Sequence, residues 1–231
     1  MNLELGKLER LFPFHVFDEE TQSSRGEEVK LNDFIALSRL LSDCRPMNIL
    51  EIGCWTGSCT VLFGDHVKEY GGKVHVIDNF KGSPGSNQEK FAKVARRRFL
   101  DNVKTFGLED TVIFHEGNSD DLVDLFGVEF DFIFIDADHR YSQISKDIAN
   151  YYPKLKDGGY FCGHDFNCSV YDEKHIEEDY VDGIHHGVTK AVNERFPGVK
   201  LFTDDGDNKR RLISSVWHVV KDKMPCFVAM D

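Results

Sequence analysis

The chain has 231 residues, 41% of them hydrophobic and 29% charged, and a formal net charge of −12. That length suits one domain with a substantial core and a terminal extension. So acidic a balance weighs against a nonspecific grip on nucleic-acid phosphate or an anionic membrane, and the densest basic run, Ala95-Arg-Arg-Arg98, reads as a solvated helix face.

The cysteines at 44, 54, 59, 162, 168 and 226 include no C-x-x-C pair, and several sit in apolar, strand-like contexts. Met1–Arg10 lacks the apolar centre of a signal peptide, and no apolar run approaches bilayer-spanning length. A reduced, cytoplasmic protein is the expectation.

Residues 1–26 show no clear period but carry Phe12, Phe14 and Phe17, which suggests an extension that docks onto the domain, serves as a lid or forms the contact of a homodimer; residues 27–231 read as a single domain. From Glu27 to Leu41 the apolar positions Leu31, Phe34, Ile35, Leu37, Leu40 and Leu41 fit one helix face. Pro46 closes the connection into a first strand, Asn48–Ile52. That strand runs into Gly53-Cys-Trp-Thr-Gly57, after which apolar character resumes at helical spacing. A strand that ends in a glycine turn opening a helix presents backbone N–H groups to a ligand. The spacing here, with Glu51, Gly53 and Gly57, is E-x-G-x-x-x-G rather than the G-x-G-x-x-G of a dinucleotide fold. A carboxylate before the first glycine suits a cationic, amino-acid-bearing nucleoside such as S-adenosylmethionine better than a diphosphate. An ordinary strand–helix turn is the plain alternative.

Further along, Gly71-Gly72 stops a helix, and Lys73–Asp78 reads as a second strand ending in an acid. Glu89 to Phe106 reads as a long helix, Thr111–His115 as a third strand, and Ser119 as the N-cap of a short helix. Phe130–Asp136 reads as the strongest strand, apolar on both faces as a central parallel strand should be, and again ends in an acid. Ser142–Leu155 reads as a helix stopped by Asp157-Gly-Gly159, and Tyr160–Gly163 as a strand leading into His164-Asp165. Residues 166–186 form an acidic, irregular stretch long enough to be a substrate loop. A helix over Gly187–Phe196 and strands at Val199–Thr203 and Leu212–Val220 follow. The alternation predicts a doubly wound, Rossmann-like α/β fold: a mostly parallel seven-stranded sheet with helices on both faces and an antiparallel last strand.

In such a sheet ligands sit beyond the carboxyl ends of the strands, near the switch point. Glu51, Asp78, Asp136 and Asp165 all lie at strand ends. Asp78 stands roughly 20 residues beyond the glycine turn, where an acid can accept ribose hydroxyls, and Ser119 falls within reach of an adenine ring. Asp136, His164 and Asp165 could together hold a divalent cation, which would polarise a substrate hydroxyl. His139, with an ordinary pKa of about 6.5, could take the proton. The plain alternative is that these groups cap loops and bond to backbone. A zinc set of Cys162, His164, Cys168 and His175 lacks an established spacing.

Together, Leu50-Glu-Ile-Gly-Cys-Trp-Thr-Gly-Ser58, Val76-Ile-Asp-Asn-Phe80, Gly117-Asn-Ser119, Phe132-Ile-Phe-Ile-Asp-Ala-Asp-His139 and Gly158-Gly-Tyr-Phe-Cys-Gly-His-Asp165 resemble, in order, the class I S-adenosylmethionine-dependent methyltransferases, in particular the macrolide-sugar and catechol-type O-methyltransferases. The resemblance implies that Glu51, Gly53 and Gly57 line the methionine end of the cofactor, that Asp78 binds its ribose and that Ser119 lies near adenine; Ser58, Cys59, Asn79 and Asp136 complete the expected cofactor-binding set. It implies Mg2+-type ligation by Asp136 and Asp165, with His164 beside them. The sequence departs from the catechol-type pattern in placing His139 where a lysine base is usual and in carrying His164-Asp165 for an Asp-Asn or Asp-Asp pair; in the sugar-type branch Asp138 is the base. Both Asp138 and His139 are therefore candidate bases. The implied activity is metal-assisted O-methylation of a small molecule, set against a metal-independent N- or C-methyltransferase and a non-catalytic nucleoside-binding module.

Overall fold

The computed structural model describes residues 31–82, 87–126, 130–166, 170–204 and 212–222. The expected N-terminal extension, Cys168 and Cys226 lie outside them. Helix α1 spans Leu31–Cys44 and leads into β1, Asn48–Ile52; α2 covers Ser58–Lys68 and β2 Lys73–Asp78. Helix α3, Ala92–Thr105, is preceded by a 3-10 turn at Asn87–Phe91, so the helix expected from Glu89 starts in tighter form. Strand β3 is Val112–Glu116, α4 the short Ser119–Leu122, β4 Phe130–Ile135, α5 Tyr141–Tyr151, β5 Leu155–Gly163, α6 His186–Arg195, β6 Lys200–Asp204 and β7 Leu212–Val220.

The sheet order is β3-β2-β1-β4-β5-β7-β6. From β3 to β5 every pairing is parallel, while β7 runs antiparallel to both β5 and β6. Alternation along each strand sends side chains to opposite faces. Ile49, Val74, Val76, Phe132 and Phe134 pack under α1, α2 and α3. Leu50, Ile52, Ile77, Ile133 and Ile135 pack under α5 and α6. Phe63 meets Phe132 and Phe134 edge-on at 5.8 and 5.5 Å, contacts that add about 0.5–1.5 kcal/mol each beyond burial. Arg96, from the basic run, pairs with Glu116 across the surface at 2.8 Å. Cys54, Cys59 and Cys162 are buried free thiols, and none of the described helices is long and apolar enough to cross a membrane.

One boundary differs from expectation. Asp157-Gly-Gly159 is not a helix stop but the interior of β5. Helix α5 ends earlier, at Tyr151, where Pro153 lies in a 3-10 turn and cannot supply the next intrahelical N–H. Gly158 N then donates to Lys221 O at 2.8 Å and Lys221 N to Gly159 O at 2.9 Å, so the glycines extend the pairing beyond β7.

The site is positioned where β1 and β4 lie side by side, with Ile52 opposite Ile135 and Ile135 opposite Gly163. From β1 the chain leaves toward β2 and β3 on one side, and from β4 toward β5 on the other, so the crevice at their carboxyl ends is the topological switch point.

Candidate functional site

Strand β1 carries Glu51 into the core, fully buried. Its Oε2 accepts the Thr60 hydroxyl at 2.5 Å, whereas Oε1 has no hydrogen-bond partner among the described residues. Burial, and then the nearby charges of Asp136 and Asp78, push its carboxyl well above the usual range despite the Thr60 bond. Gly53 turns the chain at φ 85°, and a Cβ there would run into the backbone carbonyl of Asp136. Gly57, at φ 89°, is the N-cap of α2 and offers the first-turn N–H groups no side-chain acceptor. Asp78 holds the turn together: Oδ2 accepts Cys54 N at 2.8 Å and Trp55 N at 3.0 Å, and Oδ1 accepts Phe80 N at 2.7 Å. These bonds support Trp55 at φ 48°, a left-handed conformation uncommon for a bulky residue.

At the ends of β2 and β3, Asn79 Nδ2 donates to Asn118 Oδ1 at 3.0 Å, while Asn79 Oδ1 accepts Lys81 N at 2.8 Å. Ser119 does not cap its helix; the N-cap is Asn118, and the Ser119 hydroxyl donates to Asp147 Oδ1 on α5 at 2.6 Å. Tyr151 OH donates to Ser119 O at 2.6 Å, which ties the turn to the same helix. Asp147 is fully buried, and that burial pushes its carboxyl up to about 7 against the opposing bonds from Ser119 and Gln143. Because its folded-state pKa lies above the unfolded one, the stability that this group contributes is full below about pH 4 and is lost as pH rises through about 7. At about 1.4 kcal/mol per pKa unit the fall is on the order of 4 kcal/mol. Asp147→Asn keeps an acceptor for Ser119 and should remove that slope, read as the difference between variant and parent urea midpoints from pH 4 to 8.

Beyond β4 and β5 the strand-end acids converge. Asp136 N donates to Ile52 O at 2.8 Å and His164 N to Ile135 O at 3.1 Å, which prolongs the ladder and sets the two segments side by side. Asp165 sits at φ 61°, a conformation that Asp tolerates. Asp136, His139 and Asp165 each direct one ligand atom into a shared space, within 4.8 Å of one another. His139 Nε2 lies 3.0 Å from Asp165 Oδ2 and 3.6 Å from Asp136 Oδ1. That nitrogen is buried and has no partner in hydrogen-bonding geometry among the described residues. Nδ1 of the same ring is 2.7 Å from Asp179 Oδ1. Burial alone would lower the His139 pKa, but the carboxylates of Asp136, Asp165 and Asp179 raise it well above the ordinary value.

His164, the histidine expected with the two acids, lies against both: Nδ1 is 3.0 Å from Asp165 Oδ1 and 4.0 Å from Asp136 Oδ2. Its Nε2 contacts Ser215 Oγ at 2.8 Å and Asp33 Oδ2 at 3.3 Å. Burial opposes its charge, yet Asp165 and Asp136 raise its pKa as well. Asp165, between the two imidazoles, is held well below the carboxylate range: burial would raise it, and the charges and bonds of His164 and His139 prevail. Asp138 is engaged elsewhere. Arg140 Nε donates to its Oδ1 and Oδ2 at 3.0 and 3.1 Å, and Arg140 Nη2 to Oδ2 at 2.5 Å. The conceivable zinc set is not assembled among the described residues: Cys162 is in the sheet core, and His175 pairs with Glu178 at 2.7 Å.

Three residues of this centre were not singled out in the sequence. Asp33 on α1 accepts the Ser214 hydroxyl at 2.5 Å and Ser215 N at 2.9 Å, tying α1 to β7 behind His164. Asp179 and His185 come from the loop before α6, where His185 Nδ1 meets Asp179 O at 2.6 Å and its Nε2 lies 3.6 Å from Asp165 Oδ1. The loop itself carried the signal, an acidic, histidine-bearing stretch between a strand and a helix. It is strapped down by Ile176, whose carbonyl accepts Tyr141 N at 2.8 Å, and by Glu177, which accepts the Ser142 hydroxyl at 2.6 Å and Ser142 N at 3.1 Å at the start of α5.

A family model described as a methyltransferase domain matches residues 50–166. Among solved structures, the O-methyltransferase of Bacillus cereus in complex with SAH is similar at a TM-score of 0.61 and 19% identity, covering 94% of this chain and 91% of that one. The O-methyltransferase TomG of Streptomyces achromogenes, involved in tomaymycin synthesis and solved with SAM, aligns at 0.61 and 15% over 96% of this chain and 100% of its own. The SAH-bound Podospora anserina methyltransferase PaMTH1 aligns at 0.57 and 13%, with coverages of 97% and 98%. At such identities these likenesses speak to fold. No curated protein matches the sequence.

Proposed function

Since the chain belongs to this methyltransferase-domain family, we propose that it transfers a methyl group from S-adenosylmethionine to a hydroxyl of a small molecule, assisted by a divalent cation. The observation that carries the reading is the meeting, at one switch-point crevice, of an unpartnered buried carboxylate oxygen on Glu51 and the converging Asp136, His139 and Asp165. The structural neighbours from B. cereus, S. achromogenes and P. anserina were solved with this nucleoside or its product.

Glu51 Oε1 suits the ammonium of the donor's amino-acid end, because a cationic partner would offset the burial that disfavours ionising this carboxyl. The uncapped N–H groups of α2, in the turn begun by Ser58 and Cys59, suit its carboxylate. Asp78 uses three of about four lone-pair directions on the turn, which leaves one for a ribose hydroxyl. Asn79 and Ser119 flank the adenine end. Gly53 lets this turn lie directly on Asp136, so donor and acceptor chemistry are neighbours.

Asp136, His139 and Asp165 fit a divalent cation: two carboxylates and an imidazole nitrogen turned toward both of them. When bound, the cation supplies Lewis acidity that lowers the pKa of a substrate hydroxyl. His139 is oriented by Asp179 through Nδ1, and with Nε2 given to the cation it would keep no lone pair to accept a proton. Asp138 is the proposed base, on condition that the acceptor hydroxyl displaces its pairing with Arg140. The transfer itself is an in-line displacement that depends mostly on alignment. The loop over 170–185 excludes water and selects the acceptor.

Chelation tests the reading. The chelated protein should still bind SAH by calorimetry but lose at least about 99% of methyl transfer to a panel of hydroxylated small molecules, with recovery on adding metal. Full transfer in chelator would remove the cation from the reaction.

A further inference from the structure

Three imidazoles surround the two acids, and each has its outer nitrogen engaged by the chain. His139 Nδ1 meets Asp179 Oδ1 at 2.7 Å, His164 Nε2 meets Ser215 Oγ at 2.8 Å, and His185 Nδ1 meets the Asp179 carbonyl at 2.6 Å. The inner nitrogens face Asp165 at 3.0, 3.0 and 3.6 Å respectively. A ring backed by a carboxylate on one nitrogen, with the other turned inward, is the arrangement by which proteins fix the tautomer of a metal-bound histidine. His139 shows it most fully, with Nε2 3.0 Å from Asp165 Oδ2 and 3.6 Å from Asp136 Oδ1.

We propose that the centre is a mixed nitrogen–oxygen site for a first-row transition-metal dication such as Mn2+, Fe2+ or Co2+, with Asp136, Asp165 and His139 Nε2 as ligands and Asp179 as the residue that positions His139. It deepens the function proposed above and rests on it for the presence of a cation. Mg2+ prefers oxygen ligands in near-ideal octahedral geometry and keeps several waters, whereas imidazole suits later metals. Asp179 also gives the loop before α6 a stake in the centre, because the loop that covers the site orients one of its ligands. His139 is then a ligand rather than a base, in keeping with Asp138 as proton acceptor.

The test uses the full chain, stripped of metal and titrated with MgCl2, CoCl2 and MnCl2, with SAH binding measured on the same samples. Co2+ should bind roughly 100-fold more tightly than Mg2+, and pulsed electron paramagnetic resonance of the Mn2+ form should show a directly coupled imidazole nitrogen. His139→Asp, which makes the triad all-oxygen, should cut the Co2+ preference at least about tenfold and weaken the nitrogen coupling. Asp179→Asn should weaken Mn2+ binding about 10- to 100-fold with SAH affinity unchanged. Absence of nitrogen coupling in the parent protein, Mg2+ binding as tight as Co2+, or an Asp179→Asn variant with parental Mn2+ affinity would overturn the proposal. If parent protein binds SAH but shows no nitrogen-ligated metal, only this inference fails; if it binds no SAH, the methyltransferase function fails. Should His139→Asp not fold, as judged by lost SAH binding, the parent spectrum and Asp179→Asn decide.

Discussion

Gly53→Ala is expected to abolish donor binding and to unfold the protein at a much lower temperature. The left-handed φ of 85° alone costs an alanine about 1–2 kcal/mol. The larger effect is steric. The added Cβ would overlap the Asp136 carbonyl oxygen and come within 2.6 Å of its carbon and 2.8 Å of Ala137 Cα. These are backbone atoms held by Asp136 N to Ile52 O and Gly53 N to Ile77 O, both 2.8 Å, so relief requires β1 and β4 to part at the crevice. A total above about 4 kcal/mol follows, at the extreme of single substitutions. A thermal melt and an SAH titration check it; a variant with parental melting temperature and SAH affinity would show that the close approach is not required. A contrast is Gly71→Ala, where nothing lies within 4 Å and only the backbone strain remains.

The second large effect belongs to Asp165→Asn. Asparagine tolerates φ 61° as aspartate does, so the backbone is preserved while the charge between His139 and His164 is removed. Loss of a carboxylate ligand should cost several kcal/mol of transition-state stabilisation, about a thousandfold in kcat/KM. SAH binding should persist, because Asp165 follows β5 whereas Glu51 and Asp78 belong to β1 and β2. Parental turnover in this variant would exclude Asp165 from the reacting centre; lost SAH binding would instead mark it as a structural support of the donor site.

Much of this arrangement could be read from the chain because the signals are local. Parallel strands buried on both faces appear as apolar runs, as in Phe130–Ile135. The turn at Gly53 and Gly57 announces itself because only glycine takes those conformations readily. Acids at strand ends follow from the same runs. What could not be read is long-range. Asp33 belongs to an otherwise apolar helix face, and its partner Ser214 lies 181 residues away. The Ser119 hydroxyl looked like a helix cap, but the N-cap is Asn118 and the hydroxyl bonds Asp147, 28 residues on. Asp179 and His185 reach the centre through turns with no periodicity, so nothing local marks which residues of that loop face inward. Gly158-Gly159 misled for the opposite reason: a local stop signal was overridden by pairing with Lys221.

Calorimetric titration of SAH into the full chain tests the central claim most directly. If the turn from β1 to α2 holds the donor, SAH binds one to one with a dissociation constant on the order of micromolar, comparable to ordinary enzyme substrates. No binding at millimolar SAH would contradict it, whatever the metal content.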